Sequence, residues 1–215
     1  MAKPAPVLFF CLALCCVVQV CDVAAESRRE SAMSYVDLGD KWVRVGDFRR
    51  AIAAYNIAIE FDADCAPAYF KRGFAQQALG ENTKALVDYS KAVEIDPALS
   101  AAFYNRGNLR LNQGDLDGAV SDFDSALRTD PQSAAAYNNR GIARVAKGDI
   151  EGAIADFNEA IKINSQYPEA YANLGFAHLQ QRMNAQAQRD FARSIALRPA
   201  LKTLIESRIV QISRQ

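Results

Sequence analysis

Residues 100–133 read SAAFYNRGNLRLNQGDLDGAVSDFDSALRTDPQS, and residues 134–167 read AAAYNNRGIARVAKGDIEGAIADFNEAIKINSQY. Set one above the other, the two stretches put glycine on glycine (Gly107, Gly141), alanine on alanine (Ala119, Ala153) and phenylalanine on phenylalanine (Phe123, Phe157). The offset is 34 residues, and it extends in both directions. The glycine column is Gly39, Gly73, Gly107, Gly141 and Gly175; the alanine column is Ala51, Ala85, Ala119, Ala153 and Ala187. Four residues further on, an aromatic column reads Tyr55, Tyr89, Phe123, Phe157 and Phe191. An opening aromatic column reads Tyr35, Tyr69, Phe103, Tyr137 and Tyr171, and a second small column reads Ala58, Ala92, Ala126, Ala160 and Ser194. The units are therefore 32–65, 66–99, 100–133, 134–167 and 168–201, with no insertion between them.

Each unit reads as two helices. Gly-Asp or Gly-Glu (Gly46-Asp47, Gly80-Glu81, Gly114-Asp115, Gly148-Asp149) ends the first, where a left-handed residue costs glycine nothing, and opens the second with an acidic cap. Asp96-Pro97, Asp130-Pro131 and Arg198-Pro199 close the second helix, because proline cannot continue it. The fifth unit has Arg182-Met183 in place of Gly-Asp, so its turn is predicted to be strained or differently shaped. A single helix pair cannot bury its apolar face, so neighbouring pairs must stack. The fold class is all-α: an α-solenoid of five helix-turn-helix repeats. Residues 202–215 follow as a C-terminal capping helix, with Leu204, Ile205, Ile209 and Ile212 on its inner face.

The pattern resembles the tetratricopeptide repeat, or TPR, family. Tyr104-Asn105-Arg106-Gly107, then Ala119 through Phe123 to Ala126, then Asp130-Pro131, carry the resemblance most closely. It covers about four fifths of the chain and implies a scaffold with many different partners in its relatives. It also implies that the first helix of each unit lines a concave groove. The residues two before each glycine then face that groove: Asp37, Lys71, Asn105, Asn139 and Asn173. An asparagine amide both donates and accepts, so a ladder of three could hold an extended peptide by its backbone. Phe70, Phe74, Tyr104, Asn108, Ile142 and Phe176 are further groove candidates and make the lining rather apolar. One branch of the family clamps a C-terminal carboxylate with basic residues on successive units. In the corresponding windows the basic members are missing, as Val36, Asp40, Lys71, Ala101 and Asn105 show in the first, so no such clamp is expected.

Charge and composition exclude other classes. The 215 residues carry 25 basic and 25 acidic side chains, a formal net charge of zero, which argues against nucleic acid as partner. The single histidine, His178, leaves no basis for a His-based metal site or a catalytic dyad, and no phosphate-cradling glycine loop is present. Neither catalytic residues nor a cofactor are expected. Arg72, Arg106 and Arg140 each stand 16 residues before an aspartate (Asp88, Asp122, Asp156), a spacing read as a pair within one unit. Asp190 faces Leu174 and is left without an arginine in that register.

Residues 1–25 have the form of a signal peptide: Lys3, an apolar run from Val7 to Val20, and Val23-Ala24-Ala25 before a mature start at Glu26. Residues 26–31 are a short lead. Four of five cysteines fall in the signal, leaving Cys65 with no partner for an internal disulfide. The sequence thus reads as an exported (periplasmic or secreted) non-catalytic scaffold that binds a peptide or protein segment. The alternatives are a self-associating structural component of the envelope and, for the N-terminus, an anchor formed by residues 7–20. Membrane attachment is expected only if that segment stays uncleaved or is lipidated.

Overall fold

The computed structural model describes the backbone of residues 7–212 and the side chains of residues 25–212. Every regular element among the described residues is helical. The helices are α1 (Val7–Arg44), α2 (Phe48–Phe61), α3 (Ala66–Ala78), α4 (Asn82–Ile95), α5 (Ser100–Gln113), α6 (Leu116–Thr129), α7 (Ala134–Lys147), α8 (Ile150–Ile163), α9 (Pro168–Gln180), α10 (Asn184–Leu197) and α11 (Lys202–Ile212). A 3-10 turn, Pro199–Leu201, links the last two. The signal-peptide reading of residues 1–25 rests on side chains that, up to residue 24, lie outside the described residues. Among the described residues no helix is long and apolar enough to cross a membrane.

The chain divides into two compact units, one ending at Asp96 and the other beginning at Pro97. In the first, α1 packs on α2, α2 on α3 and α3 on α4. Its core gathers Ala32, Val36, Ala51, Tyr55, Ala58, Cys65, Ala68 and Ala75. In the second, the pairs α5–α6, α7–α8 and α9–α10 stack in chain order. The last pair is covered by α11, whose Ile205, Ile209 and Ile212 sit on Ala172, Phe176, Ala187 and Phe191. Leu204 departs from the expected inner face. It is 61% exposed, because it stands one residue, about 100°, from the buried Ile205.

One contact explains three of the repeating columns. The rings of Tyr55, Tyr89, Phe123 and Phe157 are at most 1% exposed. Each lies flat against the glycine of the partner helix: a Cβ added at Gly141 would stand 2.5 Å from Cε1 of Phe157. The alanine columns sit beside these rings and are fully buried, so the two helices approach too closely for larger side chains. Where the ring is tyrosine, its hydroxyl finds an acceptor, Asp40 Oδ1 for Tyr55 and Gln77 Oε1 for Tyr89, each at 2.8 Å.

The interhelical turns share one geometry. Gly46, Gly80, Gly114 and Gly148 have φ between 78° and 86°. The next residue donates its N–H to a carbonyl five residues back, as in Asp149 N–H to Arg144 O at 2.9 Å. The fifth turn was expected to be strained or differently shaped. Its shape is the same, with Met183 N–H on His178 O at 2.9 Å. Its strain is real, since Arg182 takes φ 60° with a full side chain. Relieving it with Arg182→Gly should raise the unfolding free energy by about 1 kcal/mol, the lower part of the left-handed penalty for a residue with a Cβ. Urea unfolding followed by circular dichroism measures this; a loss of stability would mean that the exposed Arg182 side chain contributes more than its backbone costs.

Candidate functional site

The predicted arginine–aspartate pairs are present. Arg72, Arg106 and Arg140 each donate two hydrogen bonds, from Nε and Nη2, to Asp88, Asp122 and Asp156 at 2.6–3.0 Å. The aspartates are 1–3% exposed, so these bonds tie first helix to second deep in each pair. Arg140 also reaches back one pair, to Asp124 Oδ1 at 2.6 Å, and Arg72 reaches Asn56 Oδ1 at 2.7 Å. The sequence reading missed a second cation. Arg110 and Arg144 stand 12 residues before the same aspartates and donate to Asp122 and Asp156 at 2.9 and 2.8 Å. His178 occupies that register in the fifth pair, its Nδ1 2.7 Å from Asp190 Oδ2. Asp190 is therefore not an orphan. Burial pushes its carboxyl above the usual carboxylate range, and the bond to His178 pulls the other way. The repeated spacing of Arg110, Arg144 and His178 was the available signal. These side chains tie the two helices of each pair together. Cys65 is 5% exposed, and burial raises its thiol above the ordinary range, as suits a core residue.

The remaining polar side chains on the first helices form the candidate site. In the unit beginning at Pro97, Asn173 Nδ2 donates to Asn138 Oδ1 at 2.9 Å, and Asn138 Nδ2 donates to Asn139 Oδ1 at 3.0 Å. Asn139 Nδ2 then donates to Asn108 Oδ1 at 2.7 Å and to the Tyr104 hydroxyl at 3.2 Å. The amides of α5, α7 and α9 are thus one hydrogen-bonded chain. Asn138, one residue from the predicted column and 3% exposed, is its buried link. Asn105, Asn139 and Asn173 are half-buried, so none is hidden from solvent. An open polar cleft of about 610 Å³ lies along this chain, bordered by Asn138, Asn139, Asn173, Gln166, Tyr167 and Arg198 among others. Glu169 and Arg198 close an ion pair at its edge.

Ile142 and Asn173 also border a second, apolar cleft of about 300 Å³, whose walls include Val145, Ala146, Phe176, Ala177 and Arg208. Phe176 is only 6% exposed: it packs on Phe191 with ring centroids 4.9 Å apart and carries the Arg208 guanidinium 4.4 Å above its own ring. It floors the cleft, and α11 packs over the rest of its ring. Tyr104 is half-buried, 6.1 Å from Phe123.

In the unit ending at Asp96 the corresponding positions are charged. Lys71 pairs with Asp40, which also accepts from the Tyr55 hydroxyl. Burial and this carboxylate push the Tyr55 hydroxyl well above the ordinary phenol range. Phe70 is half-buried with its ring 6.0 Å from Tyr89, whereas Phe74 is 44% exposed. Among the described residues no cluster of His, Cys, Asp and Glu has the form of a metal site.

The TPR repeat family profile matches residues 78–114, 107–148 and 142–181. No curated protein sequence matches the chain. Solved structures do. A crystal structure of MamA protein is 24% identical, covers 81% of this chain and 95% of its own, and has a TM-score of 0.72. MamA 41-end from Desulfovibrio magneticus RS-1 is 19% identical, with 79% and 96% covered and a TM-score of 0.72. YrrB, described as a TPR protein with an unusual peptide-binding site, is 19% identical, with 87% and 96% covered and a TM-score of 0.74. The matched spans and the paired-helix packing agree: residues 78–181 match the TPR repeat profile, and the fold is an all-α TPR solenoid like those of MamA and YrrB.

Proposed function

We propose that this chain is an exported, non-catalytic scaffold that binds a peptide or protein segment along the first helices of its later repeats. The observation that carries the reading is the amide chain from Asn173 through Asn138 and Asn139 to Asn108, set along an open polar cleft. Its members are prealigned by their own hydrogen bonds, so ordering them on binding costs little. Half-exposed amides still have lone pairs and N–H groups to offer, and a peptide backbone supplies the complementary pattern whatever its side chains. The peptide-binding site described for YrrB is consistent with this use of the fold. The exported location is supported by the signal pattern of residues 1–25.

The test is capture of a partner from the native extract by the 215-residue chain and by a variant with Asn105→Ala, Asn139→Ala and Asn173→Ala. Each lost hydrogen bond is worth about 0.5–1.5 kcal/mol, so recovery should fall about tenfold or more. The helical circular dichroism of the variant should match the parent. Equal recovery of the same partner by both chains would end the amide reading. Elution of the pure parent as a stable dimer in light scattering would favour self-association as the role.

A further inference from the structure

We infer that the apolar cleft beside α11 takes the anchor side chain of an extended peptide, an aliphatic or aromatic residue, and that Arg208 pairs with an acidic side chain within two residues of that anchor. This rests on the peptide-binding reading above and specifies its ligand. Ile142 and Asn173 border both clefts, so a backbone lying along the amide chain delivers its side chains directly into the apolar one. That cleft, about 300 Å³ and walled by Ile142, Val145, Ala146, Phe176 and Ala177, has room for a single large side chain.

Charge complementarity selects the neighbour. Arg144, on the same helix as Ile142 and Val145, is committed to Asp149 and Asp156. Arg208 is exposed, and among the described residues no carboxylate lies within ion-pair distance of it. Its guanidinium is held over Phe176 by the ring face, which fixes its position at the cleft while leaving its N–H edges open. Among the described residues no acidic side chain lines the cleft. A planar fork fixed in place and unpaired matches a carboxylate with two parallel hydrogen bonds. Alternate side chains of an extended segment point to opposite faces. With the anchor directed inward, the adjacent residue is turned out toward the rim, where Arg208 stands.

The experiment is fluorescence anisotropy of labelled, C-terminally amidated octapeptide pools on the 215-residue chain. One pool fixes Leu-Glu at its centre, with Ser, Thr, Gly and Asn randomised elsewhere. Companion pools carry Leu-Gln, Ser-Glu, or Leu-Gln with a free C-terminal acid. The Leu-Glu pool should bind at least about tenfold more tightly than each of the first two, the scale of a lost charge-assisted bond or a lost buried side chain. Arg208→Gln, at an exposed position, should abolish the preference for Leu-Glu over Leu-Gln while leaving that for leucine over serine. Ala146→Phe, at the exposed rim, should fill the cleft and remove the preference for leucine. Absence of binding by every pool, equal binding of Leu-Glu and Leu-Gln, an unchanged ratio in Arg208→Gln, or tightest binding by the free-acid pool would each overturn the inference. The partner-capture test with the three asparagines reads separately: loss of capture there alongside failure here keeps the peptide-binding reading and removes only this ligand class.

Discussion

Phe157→Ala should lower the unfolding free energy by about 3–5 kcal/mol, the cost of emptying a closely packed aromatic site. The ring is 1% exposed and is clustered with Ala153, Leu174 and Ala177, so it is shared between its own helix pair and the next. It lies on the backbone at Gly141, where a Cβ would stand only 2.5 Å from it. Neither surface can collapse into the hole, because both are rigid helix backbone faced with alanine. Adjacent pairs stabilise one another in a stacked array, so the loss should also narrow the unfolding cooperativity. Urea unfolding followed by circular dichroism measures both midpoint and slope. A cost under about 1 kcal/mol would show that the aromatic column fills space without organising it.

Asp156→Ala should be comparably damaging, at about 3–5 kcal/mol. The carboxylate is 3% exposed and accepts from Arg140 at 3.0 and 2.6 Å and from Arg144 at 2.8 Å. Removing it leaves two guanidinium groups largely desolvated, Arg140 with the Asp124 carboxylate and Arg144 with the Gly152 carbonyl at 3.2 Å and the edge of Asp149 at 3.7 Å. The arrangement predicts non-additivity. In Arg144→Met the aspartate keeps its bidentate Arg140 partner, so that variant should cost clearly less. Equal costs for the two would mean that Arg140 does not hold Asp156 by itself. The measurement is again urea unfolding, with the double variant completing the cycle.

Much of the candidate site was legible in the sequence, and the rest was not for specific reasons. Asn108, Asn139, Asn173 and Tyr104 could be found by register, because a helix places every 34th residue of an exact repeat in an equivalent position. Asn138 could not. The matching positions hold Tyr104 in the third repeat and Ala172 in the fifth, and neither gives a hint that a buried amide would bridge its neighbours there. The register places Ile142 and Phe176 on the same cleft, but it could not show that α11 would pack over Phe176 and leave it 6% exposed. The partnership of Asp190 was missed because the 16-residue spacing to arginine hid the 12-residue spacing to His178.

The sequence by itself determined the helix pairs, their turns and the buried ring-on-glycine contact, since a period of 34 residues with fixed glycine, alanine and aromatic columns admits one local solution for each repeat. Only the tertiary structure decided how polar side chains of different repeats connect: which amides join into one chain, which arginines are consumed by buried aspartates, and that Arg208 lies over Phe176 with no carboxylate partner among the described residues. The physical reason is that packing within a pair depends on residues at fixed short spacing. Hydrogen bonds and ion pairs between pairs depend on side-chain reach across a gap, and no one-dimensional pattern records that distance.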